Sequence, residues 1–119
     1  MIRGVHTMFY SSDADGLRAF LRDKLQFPAT DVGGGWLIFD VPAADMGVHP
    51  TAEGDPHNPP PGTHNISFYC DEIHKTVAEL TSRGVQFIDT VQDFGYGLVT
   101  HFKMPGGVVV QLYQPLYKK

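Results

Sequence analysis

Cysteine is nearly absent from this 119-residue chain: Cys70 stands alone and cannot close an intrachain disulfide, so nothing calls for an oxidising compartment. Clustered positive charge is missing too. Nine Lys and Arg against thirteen Asp and Glu give a net charge of −4, and no basic patch offers itself to nucleic acid or to an anionic membrane. Apolar runs span only a few residues, far short of a membrane crossing. The opening MIRGVHTMFY has no basic stretch leading into an apolar one, so a cytoplasmic protein is expected. At 42% apolar and 18% charged residues, the composition is that of a folded domain and not a disordered tail. Six histidines in so short a chain draw attention as a source of chemistry.

One stretch interrupts the chain. Residues 51–62 read TAEGDPHNPPPG, with four prolines and two glycines. Proline lacks the N–H that a sheet ladder needs, so this stretch is expected to be a surface connector between modules 1–50 and 63–119.

The two halves resemble each other. Gly4-Val5-His6 leads to Asp13, and Gly62-Thr63-His64 leads to Asp71, so an Asp follows each histidine by seven residues. Each Asp is expected to begin a helix by accepting from the first-turn N–H groups. Leu17, Phe20, Leu21 and Leu25 then fall on one helical face, as do Ile73, Val77 and Leu80, with Gly84 as a stop. Glycine-flanked strands follow at Gly35–Phe39 and Gly97–Lys103, then proline turns at Pro42 and Pro105, then last strands at Asp45–His49 and Gly107–Tyr113. The expected fold is α+β: two βαβββ modules pairing into a curved half-barrel sheet with helices outside. A module of about 50 residues cannot cover both faces of its own sheet, so it needs the other copy.

The repeated order, the histidine opening each half and the ending Pro105-Gly106-Gly107 to Gln111-Leu112-Tyr113-Gln114-Pro115 resemble the vicinal oxygen chelate superfamily. That group includes glyoxalase I, extradiol dioxygenases and bleomycin-binding resistance proteins. The resemblance covers Gly4 to Pro115 and implies a divalent metal held by the opening-strand histidine and last-strand acid of each module. His6 and His64 match the histidines, and Gln111 stands where the family carries glutamate. His49 falls within one residue of the equivalent place in the first half. The implied set, His6, His49, His64 and Gln111, has no carboxylate; imidazoles favour Zn, Ni, Co, Fe or Cu, and the divalent ion the resemblance implies is Zn, Ni, Co, Fe or Mn. The Gly33-Gly34-Gly35 run leads into a strand and is no phosphate cradle, so no organic cofactor is implied.

Two functions follow from the resemblance. In the first, a metal-dependent lyase, isomerase or dioxygenase binds adjacent oxygens of a small substrate, with His49 as general base. In the second, a metal-free cup binds and sequesters a small molecule. Trp36 and Tyr96 follow glycine-rich turns and are expected at the pocket rim, with His101 and Tyr113 as further ligand contacts. The apolar last strand VVVQLYQPLY would be hazardous at an exposed edge, so a homodimer is expected.

Overall fold

The computed structural model describes residues 1, 6–41, 43–51 and 59–118. The expected strand opening at Gly4-Val5, the Pro42 turn and most of the connector, His57 included, lie outside those residues.

Helix α1 (Ala14–Asp23) starts at Asp13, whose Oδ1 accepts from the Gly16 N–H at 3.0 Å. Gly16 is needed for that cap, because a Cβ there would collide with the Asp13 carboxylate. Leu17, Phe20 and Leu21, spaced as one helical face, are its buried residues. A glycine-rich hairpin follows, β1 (Ala29–Asp31) antiparallel to β2 (Leu37–Phe39).

The second half builds a four-stranded sheet from β3 (Ser67–Tyr69), β4 (Gln92–Asp93), β5 (Gly97–Met104) and β6 (Val108–Pro115), in the order β3-β6-β5-β4. Helix α2 (Ile73–Ser82) links β3 to the rest, and β3 runs parallel to β6. This is the expected strand-helix-strand-strand-strand order, with the first strand beside the last. The helix begins one residue later than expected: Glu72, not Asp71, is the N-cap, and it makes no side-chain cap bond. Gln114 of β6 replaces that cap, its Oε1 accepting from the Ile73 N–H at 2.8 Å.

Directly opposed residues share a face, so Thr100, Phe102 and Met104 of β5 line up with Leu112, Val110 and Val108 of β6. Against that face pack Leu17, Phe20 and Leu21 of α1 and Ile73 and Leu80 of α2. Phe102, 1% exposed, is the centre: the rings of Phe20, Phe68 and Phe87 all lie within 6.4 Å of its own, centroid to centroid. The helix of the first half therefore completes the core of the second. Two further ties hold it there. The β5–β6 turn meets the lead-in to α1, with Ser12 N–H donating to Gly106 O at 3.1 Å and Ser11 Oγ donating to Pro105 O at 2.7 Å. At the other end of the helices, Arg83 donates to Lys24 O at 3.0 Å.

The first half departs from the duplicated pattern. No strand forms over Asp45–His49, nor over His6–Tyr10. A strand is stabilised by its neighbour's ladder, and among the described residues neither segment pairs with another. The described residues thus form two sheets, a two-stranded hairpin and an open, unclosed four-stranded main sheet. The apolar β6 is also no edge: it pairs with β5 on one side and β3 on the other. Its hydrophobicity reflects burial between strands, which removes the edge argument for dimerisation. No helix among the described residues is long and apolar enough to cross a membrane.

Candidate functional site

With one face of the main sheet covered by helices, the opposite face is left for chemistry. Strand parity puts Val99, His101 and Lys103 of β5 there, directly opposite Tyr113, Gln111 and Val109 of β6, and Ser67 and Tyr69 of β3 beyond. Two rows result. One is polar: His101, Gln111 and Ser67. The other is largely aromatic: Val99, Tyr113 and Tyr69.

The polar row is tied together at both ends. Gln111 Nε2 donates to Ser67 Oγ at 3.0 Å. At the other end, His101 Nδ1 lies 2.8 Å from Asp89 Oδ2. The second oxygen of Asp89 accepts from the Thr100 hydroxyl at 2.6 Å and from the His101 backbone N–H at 2.8 Å. Burial pushes the Asp89 carboxyl up, but these hydrogen bonds together hold it below the usual carboxylate range.

A break in the sheet edge accounts for the position of Asp89. Phe87 pairs with Phe102 and Gln92 with Val99, so the run from 87 to 92 is matched only by that from 102 to 99. Two extra residues bulge out, which lets the Asp89 side chain take the place of a backbone acceptor.

Tyr113 anchors the aromatic row. Its ring lies over Gly97, where a Cβ would come within 2.9 Å of the ring carbon Cδ2, so glycine is what allows the ring to settle. Rings continue on either side: Tyr96 at 6.3 Å from Tyr113, Phe94 at 6.3 Å from Tyr96, and Tyr117 at 6.5 Å from Tyr113. Tyr113 and Tyr117 are hydrogen-bonded hydroxyl to hydroxyl. Burial, then that bond, raises the Tyr113 phenol well above its ordinary value, and the Asp45 carboxylate pushes the same way. Phe94, Tyr96 and Tyr117 are each about half exposed.

Each expected site residue has a definite place. His101, Gln111, Tyr96 and Tyr113 gather on the open face. Trp36 is half exposed and makes its ring contact elsewhere, under the Arg18 guanidinium of α1 at 4.7 Å. His6 and His64 lie on exposed, non-strand backbone. His49 is exposed, with Nδ1 2.7 Å from Pro50 O. Among the described residues no three His, Cys, Asp or Glu side chains come together as a metal-holding group. His6, His49 and His64 thus do not form such a group with one another. The Cys70 thiol is pushed up by burial, although a hydrogen bond with Thr76 works the other way.

Asp89, Ser67 and Tyr117 belong to the site and were not singled out in the sequence. Only the strand register reveals them: Asp89 is twelve residues from His101 and Ser67 forty-four from Gln111.

Residues 3–112 match the model of the Glyoxalase/Bleomycin resistance protein/Dioxygenase superfamily. Among solved structures, the antibiotic binding protein TnmS3 from Streptomyces sp. CB03234 is similar over 97% of this chain and 99% of its own, at 24% identity and a TM-score of 0.61. A glyoxalase/bleomycin resistance protein/dioxygenase from Nocardioides aligns over 92% of this chain and 80% of its own, at 18% identity and TM-score 0.60. A virulence protein from Salmonella typhimurium aligns over 89% and 90%, at 20% identity and TM-score 0.55. At these identities the likeness is one of fold. No protein of curated function matches the chain.

Proposed function

We propose that this chain, which belongs to the Glyoxalase/Bleomycin resistance protein/Dioxygenase superfamily, is a binding protein that holds a small aromatic molecule on the open face of its main sheet. One observation carries the reading: a run of four neighbouring rings, Phe94, Tyr96, Tyr113 and Tyr117, beside a row of fixed polar groups. Aromatic faces supply contact area at low conformational cost, and a few placed polar groups orient what lies on them. Superfamily members include metal-dependent enzymes; in this chain the implied set His6, His49, His64 and Gln111 has no carboxylate, and its three histidines are on exposed, non-strand backbone, which supports binding over catalysis. TnmS3, named as an antibiotic binding protein, illustrates such a use of this fold.

The same proposal treats halves 1–50 and 63–119 as two modules of one domain acting in the cytoplasm as a homodimer. Support for the dimer comes from the 43–51 segment, where Met46 and Val48 hold apolar side chains in solvent and no strand has formed. A second copy would cover them. Light scattering at micromolar concentration that returns a monomer mass overturns the dimer.

The binding reading is tested by calorimetric titration with a panel of fused-ring aromatic compounds. Saturable binding by at least one compound, lost in Tyr113→Ala, is the expected result. No binding across the panel overturns the reading.

A further inference from the structure

The most deliberately built group on the open face is Asp89 with His101. Asp89 sits in a two-residue bulge at the sheet edge and accepts three bonds: from the Thr100 hydroxyl, the His101 amide and the His101 ring. An ionised carboxylate can only accept, so the proton between Asp89 and the ring belongs to Nδ1. In neutral imidazole that leaves Nε2 with the lone pair. His101 is 35% exposed at its side chain and stands directly opposite Gln111, in the row that borders the aromatic rings.

We infer that the bulge at 88–91 exists to hold His101 as a fixed proton acceptor, and that the bound molecule is an aromatic compound with a phenolic or enolic hydroxyl donating to His101 Nε2. The inference rests on the binding reading above and narrows its ligand class. Asp89 is a positioning residue: it sets the tautomer and the angle of the ring. Gln111 adds to the recognition. With Nε2 donating to Ser67, its Oε1 is held on the same row and accepts from a second donor on the ligand. An aromatic molecule with no protic group would stack on Tyr96 and Tyr113 but leave His101 Nε2 and Gln111 Oε1 desolvated without a donor, which costs affinity.

Two measurements test this. The first needs no ligand. Side-chain nitrogen NMR of the labelled wild-type protein, at a pH high enough for the ring to be neutral, is expected to show His101 Nδ1 protonated and Nε2 bare, and Asp89→Asn is expected to mix the tautomers while Asp89→Glu restores them. A neutral wild-type ring protonated on Nε2 overturns the inference. The second compares a naphthol with its methyl ether by calorimetry. The wild type is expected to prefer the naphthol by roughly five- to tenfold, the weight of one net hydrogen bond, and Asp89→Asn to erase that preference. Equal binding of the pair by the wild type overturns this inference and leaves the aromatic site standing. Failure of both compounds to bind overturns the site and the inference together.

Discussion

Tyr113 and Gly97 meet across two strands of the main sheet, the tyrosine ring occupying the space a Cβ on residue 97 would need. That single close approach lays an aromatic ring flat on the face opposite the helices. It also sets the start of the row that continues through Tyr96 and Phe94. The polar row and Tyr113 are thus set by the sheet itself, from residues that alternate with the core, while Phe94, Tyr96 and Tyr117 come from the turns and tail that flank its strands.

Tyr117 is expected to govern the titration of Tyr113. Burial comes first in raising the Tyr113 phenol, and the Tyr117 hydroxyl comes second. Tyr117→Phe should lower the Tyr113 value towards the ordinary tyrosine range without bringing it all the way. Ultraviolet absorbance followed through alkaline pH checks this; an unchanged titration would show that the hydroxyl pair is irrelevant to it.

The contribution of Asp89 to stability should depend on pH in a defined direction. Its folded value lies below the unfolded one, about 3.9. The stabilisation is therefore fully present above that unfolded value and is lost as pH falls through the lowered folded value. The gap in melting temperature between the wild type and Asp89→Asn should narrow as the pH falls from about 5 to below about 4. Parallel curves down to strongly acid pH would contradict the assignment.

Phe102→Ala should cost about 3–5 kcal/mol in urea unfolding, since it empties the centre of a cluster to which both helices and the sheet contribute. Phe94→Ala, at a half-exposed ring on the open face, should cost well under half as much. Similar losses would mean that the core is not centred where the packing puts it.

Two adjacent glycines separate conformational strain from steric contact. Gly106 and Gly107 both have φ near +80°, at 86° and 79°. A Cβ on Gly107 meets nothing within 4 Å, whereas one on Gly106 would press on the Asp13 amide at 2.6 Å and the Ser12 amide at 2.8 Å. Gly107→Ala should therefore lose about 1–2 kcal/mol. Gly106→Ala should lose clearly more, because it also pushes the β5–β6 turn off α1. Equal losses in denaturant titration would remove that contact from the account.

The sequence by itself determined the helices, the order of elements in the second half and the family resemblance. Those depend on spacing along the chain: Leu17, Phe20 and Leu21 on one helical face, Asp13 as a cap, and the alternation of β5. Such signals act over a few residues and lie within a single element. Tertiary structure alone decided what faced what. Gln114 caps α2 because β6 lies beside β3, α1 packs on the sheet of the other half, and Asp89 reaches His101 through a bulge in the pairing. Segment 45–49 stands at a strand position of the repeat but lacks a strand's form, because a strand exists only where another backbone accepts its hydrogen bonds.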